Sequence, residues 1–180
     1  NTSALFSGGY TGSDTSNVEL WNGTNWTETT NLPTARVSGS AGGNTSNALI
    51  FAGRNPSLTG TSVEWIGAGA PVGAWATQAN MNTAREVNGA GTVYTAALAF
   101  GYGSAVTELW AGSSWTTVNS LNTAKALSAG FGASNSAINC GGEIPATTAL
   151  TETWNGTNWA ETADLNLARY GLAAAGVSNT

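Results

Sequence analysis

Short runs in which apolar and polar side chains alternate recur along the whole chain. The runs NVELW (17–21) and WTETT (26–30) are typical, because they are rich in β-branched and aromatic residues and have a period of two. Asn-Gly or Gly-Ser residues separate such runs and supply the backbone conformations that tight turns need. No segment sustains a helical period flanked by caps. The pattern predicts an all-β fold built from short strands.

Two further kinds of stretch accompany each pair of alternating runs, one rich in small residues and one apolar and ending in glycine. The small-residue stretches are VSGSAGG (37–43), EVNGAGT (86–92), ALSAGFG (126–132) and YGLAAAG (170–176). The apolar stretches are ALFSGG (4–9), ALIFAG (48–53), ALAFG (97–101) and AINCGG (137–142). We name the small-residue strand a, the apolar strand b, and the two alternating runs strands c and d. Strand a is expected to be innermost, where blades meet and space is tightest.

Paired tryptophans mark a repeat of about 44 residues. The first members of the pairs are 44 or 45 residues apart, and a cation follows each second member after ten residues. The pairs are Trp21 with Trp26, Trp65 with Trp75, Trp110 with Trp115, and Trp154 with Trp159; the cations are Arg36, Arg85, Lys125 and Arg169. Features that stay in phase over the whole chain indicate four copies of one structural unit.

Four short strands in a repeat of this length are typical of a β-propeller blade. We predict a single β-propeller domain over residues 1–180 with four four-stranded blades. The repeat units are about 37–78, 86–118, 126–162, and a composite of 170–180 with 1–30. Pairing the C-terminal strand with the N-terminal strands would close the ring and hide its sheet edges. The same units also fit a longer array, or a larger ring made by two chains.

These residues resemble kelch repeats. The resemblance rests on Gly8-Gly9 and Gly141-Gly142, the VELW strand, the second Trp of each pair, and the LPTAR run that ends at Arg36. The chain departs from kelch repeats where the first Trp stands in place of the usual Tyr and where the c–d turn is two residues shorter in three units. By this alignment the second glycine is replaced by Arg54 in one unit and by Tyr102 in another.

This variety of repeat, with its NGTNW, TE-x-W and LNTAR segments, looks like the kelch-type repeats of phage virion proteins. The resemblance implies a β-propeller in a tail fibre or another receptor-binding component, located at a virion surface or otherwise outside a cell. Kelch propellers serve unrelated functions, so the resemblance does not name a ligand.

Composition narrows the range of functions. Asp, Glu, Lys and Arg make up only 8% of the chain, against roughly 25% in an ordinary soluble domain, and the net charge is -5. Without a basic patch, neither nucleic acid nor an anionic membrane is an expected partner. The chain has no His, the commonest general base and metal ligand, and its single Cys140 cannot form an internal disulfide. We therefore expect no enzyme activity, no cofactor and no metal site.

The residues that stay in phase are expected to be structural. A single binding site does not need four copies, so the tryptophans are predicted to pack between blades rather than to serve as sugar platforms. The cations are predicted to pair with Glu19, Glu108 and Glu152, each two residues before a first Trp, rather than to form an anion-binding ring. The second unit has Val63 at that position and Glu64 one residue later.

The variable b–c loops are the predicted binding surface. In an up-and-down blade the b–c and d–a loops emerge on the same face, which combines variable loops with a rigid scaffold. The candidate ligand-binding side chains there are Tyr10, Asp14, Arg54, Asn55, Tyr102 and Glu143. On the opposite face the second unit extends its c–d turn into the apolar loop from Ile66 to Ala74, a candidate contact with a neighbouring subunit.

These expectations combine into a non-enzymatic module that recognises a glycan or a host receptor through its b–c loops. A purely architectural role in a virion or extracellular assembly is the first alternative. A degenerate glycosidase that uses a carboxylate pair is the second. The N-x-[ST] sequons at Asn22, Asn25 and Asn155 are better explained by turn chemistry, because the glycine of this turn is kept in all four units.

Overall fold

The fold is all-β, as predicted. A computed structural model describes residues 3–67 and 73–176, and for residues 90–92 its backbone alone. Four antiparallel sheets are arranged as a four-bladed β-propeller, and the described residues form no helix. We number the blades 1 to 4 in chain order. The division into domains and repeat units stays a prediction.

Each blade is a meander of neighbouring antiparallel strands. Blade 1 contains β1 (Ala4–Ser7), β2 (Val18–Trp21) and β3 (Trp26–Glu28). Blade 2 contains β4 (Ser40–Gly43), β5 (Asn47–Phe51), β8 (Ser62–Ile66) and β9 (Ala74–Gln78). Blade 3 contains β10 (Asn88–Val93), β11 (Ala96–Phe100), β12 (Thr107–Trp110) and β13 (Trp115–Val118). Blade 4 contains β14 (Ala129–Ala133), β15 (Ser136–Cys140), β18 (Thr151–Trp154) and β19 (Trp159–Glu161).

Two small hairpins project from the b–c connections. They are β6 (Arg54–Asn55) with β7 (Ser57–Leu58) after blade 2's strand b, and β16 (Glu143–Ile144) with β17 (Ala146–Thr147) after blade 4's. Pro56 and Pro145 occupy the single residue between the paired strands, where the missing N–H of proline leaves no ladder bond unmade.

The c–d hairpins form as the tryptophan spacing predicts. The two Trp residues of each pair lie directly opposite each other across strands c and d, with ring centroids 5.1 to 5.5 Å apart. In two of the turns an asparagine organises the backbone. The side-chain oxygen of Asn22 accepts the N–H groups of Thr24 and Asn25 at 2.9 Å, and Asn155 does the same in blade 4. The sequon asparagines Asn22 and Asn155 therefore build the turn.

Strand a begins later than the small-residue stretch predicts. In blades 2 and 4 the first residue after the cation, Val37 or Ala126, forms an isolated bridge to the neighbouring small hairpin. The next residue, Ser38 or Leu127, has a positive φ, and the strand starts only two residues after that. These long-range bridges take the backbone groups that the start of strand a would otherwise use.

The interpretation of Arg54 as a replaced glycine was wrong by one residue. The first position of each glycine pair has a φ between 61° and 75°, and its occupants are Gly8, Ala52, Gly101 and Gly141. Gly53 is then the second member, because its N–H donates to the Arg85 carbonyl at 3.0 Å as Gly9 does to Arg36 at 2.9 Å. Alanine in this left-handed region costs roughly 1–2 kcal/mol, which the surrounding sheet tolerates. The interpretation of Tyr102 was wrong by the same criterion, because the Gly103 N–H donates to the Lys125 carbonyl at 2.8 Å and Tyr102, with a φ of 60°, is an additional residue before that glycine.

Aromatic side chains join consecutive blades. In blades 2 and 3 a phenylalanine of strand b packs on the second Trp of the next blade, at a ring-centroid distance of 4.9 Å; the pairs are Phe51 with Trp115 and Phe100 with Trp159. The indole N–H of each of these Trp residues donates back to the preceding blade, Trp115 to Ser62 Oγ at 2.9 Å and Trp159 to Thr107 Oγ1 at 3.0 Å. Blade 1 packs on blade 2 through Val18, Leu32, Ile50 and Val63, and Trp75 donates to the Thr30 carbonyl.

The junction between blade 4 and blade 1, which we call the seam, differs from the other three. Among the described residues β1 pairs only with β2, and residues 170–176 form no strand. Trp26 is 49% exposed, whereas Trp115 and Trp159 are 6% and 5% exposed. The predicted closing strand pair is therefore not present in the part of the chain that is described, and residues 177–180 lie outside it.

Replacing Gly132 by Ala is expected to destabilise the a–b turn of blade 4 by about 2–4 kcal/mol. Gly132 has a φ of 114°, and a Cβ there would collide with the carbonyl oxygen of Ser136. Gly12→Ala is the matched control, because Gly12 has a φ of 104° and open space around it. It should cost only about 1–2 kcal/mol, the backbone part alone. Chemical denaturation measures both, and equal losses would contradict the steric argument.

Candidate functional site

The b–c and d–a connections share one face of the propeller, which we call the rim face. The evidence is backbone pairing between them: Val37, from a d–a segment, pairs with Arg54 of a small hairpin, and Ala126 pairs with Glu143. In blade 1 the two sides of the equivalent b–c segment are joined by an antiparallel bridge between Tyr10 and Asp14. In blades 1, 2 and 4 the rim is therefore built of short paired segments, whereas the b–c segment of blade 3 forms no strand or bridge.

A polar depression of about 220 Å³, which we call the axial well, opens where the starts of the a strands converge. Its polar side chains come from three different blades and are Ser40, Asn88 and Ser128. The Asn88 amide donates to Ser128 Oγ at 2.6 Å, which ties blade 3 to blade 4. Leu172 and Ala174 of the C-terminal segment complete the lining.

A charged cluster lies beside the axial well. Arg54 Nε is 3.1 Å from a carboxylate oxygen of Glu86, and the Tyr102 phenol lies close enough to the same carboxylate to interact with it electrostatically. Glu86 precedes the well-lining segment at Val87, so the cluster borders the well directly. Burial and the Glu86 carboxylate raise the pKa of the Tyr102 phenol.

The structure brings together some of the predicted binding residues. Arg54 and Tyr102 meet through Glu86, and the Arg54 side chain remains 48% exposed. Asn55 is engaged in the fold, because its amide donates to the Ala35 carbonyl. Tyr10, Asp14 and Glu143 stand on the small hairpins of blades 1 and 4, and no described contact joins them to the cluster.

Four residues of this site escaped the sequence analysis, namely Ser40, Glu86, Asn88 and Ser128. One signal marked them, since each lies within four residues after a cation of the repeat. The three well residues interrupt stretches of Gly and Ala with polar side chains. This pattern is visible in the sequence, but that the residues meet is not.

Three of the four in-phase cations, Arg36, Arg85 and Lys125, are buried. Arg85 Nη1 is 3.1 Å from Glu108, and Lys125 Nζ is 3.8 Å from Glu152, with all four side chains buried. Burial lowers the pKa of both cations, and the neighbouring carboxylate opposes that shift in each case. The carboxylates also accept backbone N–H groups of the d–a segment, from Asn82 and Thr83 or from Asn122 and Thr123.

Among the described ion pairs, the other two in-phase cations have no carboxylate partner. Arg36 is buried and donates to the carbonyls of Ala52 and Thr61 and to Thr61 Oγ1. The prediction that it pairs with a carboxylate was wrong, because Val63 stands at the glutamate position of its unit. Burial lowers the pKa of its guanidinium. Arg169 is exposed, and among the described ion pairs neither it nor Glu19 appears.

The opposite face carries the a–b and c–d turns. The first Trp of blades 2, 3 and 4 donates its indole N–H to an a–b turn carbonyl, that of Thr45, Tyr94 or Ser134, at 2.9 to 3.1 Å. The extended turn of the second unit, the candidate subunit contact, lies mostly outside the described residues. Its described arms, Gly67 and Gly73, pack against the Trp65 indole, and Ile66 is half exposed.

The arrangement offers hydrogen bonding and stacking. Within residues 3–67 and 73–176 no group of three or more Cys, Asp or Glu side chains could hold a metal ion. The described part of the chain also has no helix that could cross a membrane.

No protein-family profile matches the chain, and no curated protein matches it in sequence.

Proposed function

We propose that the chain is a non-enzymatic binding module that recognises a glycan or a protein receptor through its rim face. We further propose that it works at a virion surface or in another extracellular assembly. One observation carries the proposal: a polar well and an exposed Arg54–Glu86–Tyr102 cluster lie side by side on the face that also bears the variable hairpins.

The chemistry of the well favours a neutral polar ligand. Its walls provide the hydroxyls of Ser40 and Ser128, the Asn88 amide and backbone groups, which are donors and acceptors of the kind that sugar hydroxyls need. Arg54 is already neutralised by Glu86, so the cluster offers a guanidinium and a phenol for stacking and hydrogen bonding without a large net charge. A protein receptor would use the same groups together with the exposed Tyr10 and Leu58 of the small hairpins.

The cellular location rests on the repeat itself. The Trp, Gly and cation pattern is similar to kelch-type repeats of phage virion proteins, and a chain with a single cysteine and few charges suits work outside a cell. A tail-fibre or receptor-binding component of a virion would have both the kelch-type repeat and a composition suited to work outside a cell.

Binding of the purified chain to a glycan array and to intact bacterial cells tests the proposal. Arg54→Ala is expected to weaken binding by about tenfold or more, equivalent to about 1.4 kcal/mol. Tyr102→Phe, which removes only the phenol oxygen, should weaken it less. Asn25→Ala is the control, because Asn25 lies in a c–d turn on the opposite face.

Each other outcome identifies a different function. Signal that survives both rim variants and is lost in Asn25→Ala would place binding on the opposite face. The absence of binding both to the glycan array and to bacterial cells would favour the architectural alternative. Release of sugar from a chromogenic substrate panel would favour the glycosidase.

A further inference from the structure

Blade 4 departs from the repeat at two buried positions. The in-phase cation is an arginine in the other three units, whereas blade 4 has Lys125, the only lysine of the chain. The strand-b residue that pairs with the glutamate position is apolar in the other blades and is Asn139 in blade 4; its counterparts are Phe6, Ile50 and Ala99. Lys125 and Asn139 are both 0% exposed. A buried amine and a buried carboxamide therefore occur together in one blade.

The side-chain amide of Asn139 has no hydrogen-bond partner among the described residues. Its Nδ2 and Oδ1 atoms are both buried, and neither is bonded. Leaving two polar atoms unpaired and away from water is costly, so a native fold retains such a group for a specific reason. The apolar residues at this position in the other blades avoid that cost.

An amine and a carboxylate lie next to this unpaired amide. Lys125 Nζ donates to the backbone carbonyl of Asn139 at 3.2 Å and to that of Leu150 at 2.9 Å. The same Nζ is 3.8 Å from a carboxylate oxygen of Glu152. Asn139 and Glu152 are directly opposite each other on β15 and β18, so their side chains share one face with Cβ atoms about 5 Å apart. The three functional groups are therefore neighbours inside the blade 3–blade 4 junction.

The surroundings of the three groups favour a reaction between them. Gly130, which pairs with Asn139 on its other side, lies against the Phe100 ring, so the site is walled by an aromatic side chain. Burial lowers the pKa of the Lys125 ammonium, and the Glu152 carboxylate opposes that shift. An amine that loses its proton in an apolar site is a nucleophile, and a neighbouring carboxylate can carry its protons. Burial also keeps bulk water from competing for the electrophile.

We propose that Lys125 and Asn139 join in an intramolecular isopeptide bond, with Glu152 as the proton carrier. Glu152 first takes a proton from the Lys125 ammonium, and the free amine attacks Cγ of Asn139. The new Nζ–Cγ bond forms as the Cγ–Nδ2 bond breaks, while Glu152 transfers protons from Nζ to the departing Nδ2. One ammonium and one carboxamide become one secondary amide and one ammonium ion, and Glu152 ends as a carboxylate. The reaction needs no oxidant, reductant or co-reactant.

The bond would tie the d–a segment of blade 4 to strand b of the same blade. It would enclose strand a of this blade, β14, in a covalent ring of residues 125–139. Such a ring limits how far β14 can separate from β15, because the closed loop has fewer unfolded conformations than an open chain.

Mass spectrometry of the full-length chain tests the proposal. The denatured protein should be lighter than its sequence by one ammonia molecule. Chymotrypsin cleaves after Phe131, the only aromatic residue between Lys125 and Asn139, so peptides 116–131 and 132–154 should remain joined after digestion. A succinimide at an Asn-Gly pair also releases ammonia, but it joins no peptides. Separate peptides with Lys125 and Asn139 unmodified would overturn the proposal.

The matched controls come from the repeat itself. Lys125→Arg introduces the residue that blade 3 has at this position, Arg85. Asn139→Ala introduces the counterpart from blade 3, Ala99. The fold should tolerate both changes, which tryptophan fluorescence checks, and each variant should have its full sequence mass and give separate peptides. Loss of ammonia with joined peptides in either variant would overturn the proposal, because one of the two reacting groups is then absent.

Glu152→Gln separates the proton carrier from the two groups that it joins. The variant keeps Lys125 and Asn139, so the bond should still form, but more slowly by about a hundredfold or more. The joined peptide is measured in samples taken at intervals after cell-free synthesis of the two chains. Bond formation at the wild-type rate would overturn the role of Glu152 as proton carrier.

Discussion

Arg85→Met is expected to lower the free energy of unfolding by about 3–5 kcal/mol. The variant keeps the length of the side chain but leaves the Glu108 carboxylate buried, with 0% exposure, and without its counter-ion. The two backbone N–H groups that Glu108 also accepts hold it in place, so it cannot turn toward water. Urea denaturation followed by tryptophan fluorescence measures the loss.

The matched control is Arg36→Met at the same repeat position. Arg36 is equally buried, but it faces carbonyls and a hydroxyl, because Val63 replaces the glutamate. Its removal leaves no buried carboxylate without a counter-ion, so the free energy of unfolding should fall by only about 1–3 kcal/mol. Adding Glu108→Gln to Arg85→Met removes the buried charge while keeping an acceptor, and should recover part of the loss. Equal losses in the two single variants would show that the ion pair adds nothing.

Trp159→Ala is expected to destabilise the fold by about 3–5 kcal/mol as well. Trp159 packs on Phe100 of blade 3 and donates to Thr107 Oγ1, so its removal opens a cavity inside the blade 3–blade 4 junction. The surrounding strands are held by ladder bonds and cannot collapse into that space. The same denaturation experiment measures the effect.

Trp159→Phe separates packing from hydrogen bonding at this junction. It keeps an aromatic ring beside Phe100 but loses the indole N–H, so it should cost roughly 1–3 kcal/mol, part of it the unsatisfied Thr107 hydroxyl. If Phe destabilised as much as Ala, the hydrogen bond would outweigh the packing. The structure predicts the opposite order.

The c–d hairpins show where sequence reasoning works well. The two tryptophans of a pair are separated only by a turn, and the turn residues, such as Asn22 and Gly23, act within a few positions of each other. Contacts of this kind depend on local backbone geometry, so a repeated pattern predicts them reliably.

The start of strand a and the position of Arg54 show where it fails. Val37 leaves the sheet because it bridges to a hairpin that follows it in the chain, and Ala52 adopts the conformation expected of glycine. The bridge joins segments 17 residues apart within one unit, and the Gly53 N–H that follows Ala52 donates to the Arg85 carbonyl at the start of the next unit. Neither the bridge nor the tolerance of an alanine at positive φ has a signal in local composition.

The candidate site depends most strongly on contacts between residues that lie far apart in sequence. Glu86 follows Arg85 in the chain, yet it pairs with Arg54 of the preceding blade and with Tyr102 of its own. Ser40, Asn88 and Ser128 lie in three different repeats and meet only where the blades converge. Arg54 and Tyr102, two residues of the cluster, are among the candidates that the sequence predicts, whereas the well is not.

Periodicity and residues close together in the chain are enough to predict the repeat, the all-β class, the four blades and the turn chemistry. They do not predict which polar groups meet at the axis, which cations acquire a carboxylate, or which junction differs from the others. These contacts depend on how neighbouring blades pack, and that packing uses side chains such as Phe51 and Trp115, which lie far apart in sequence.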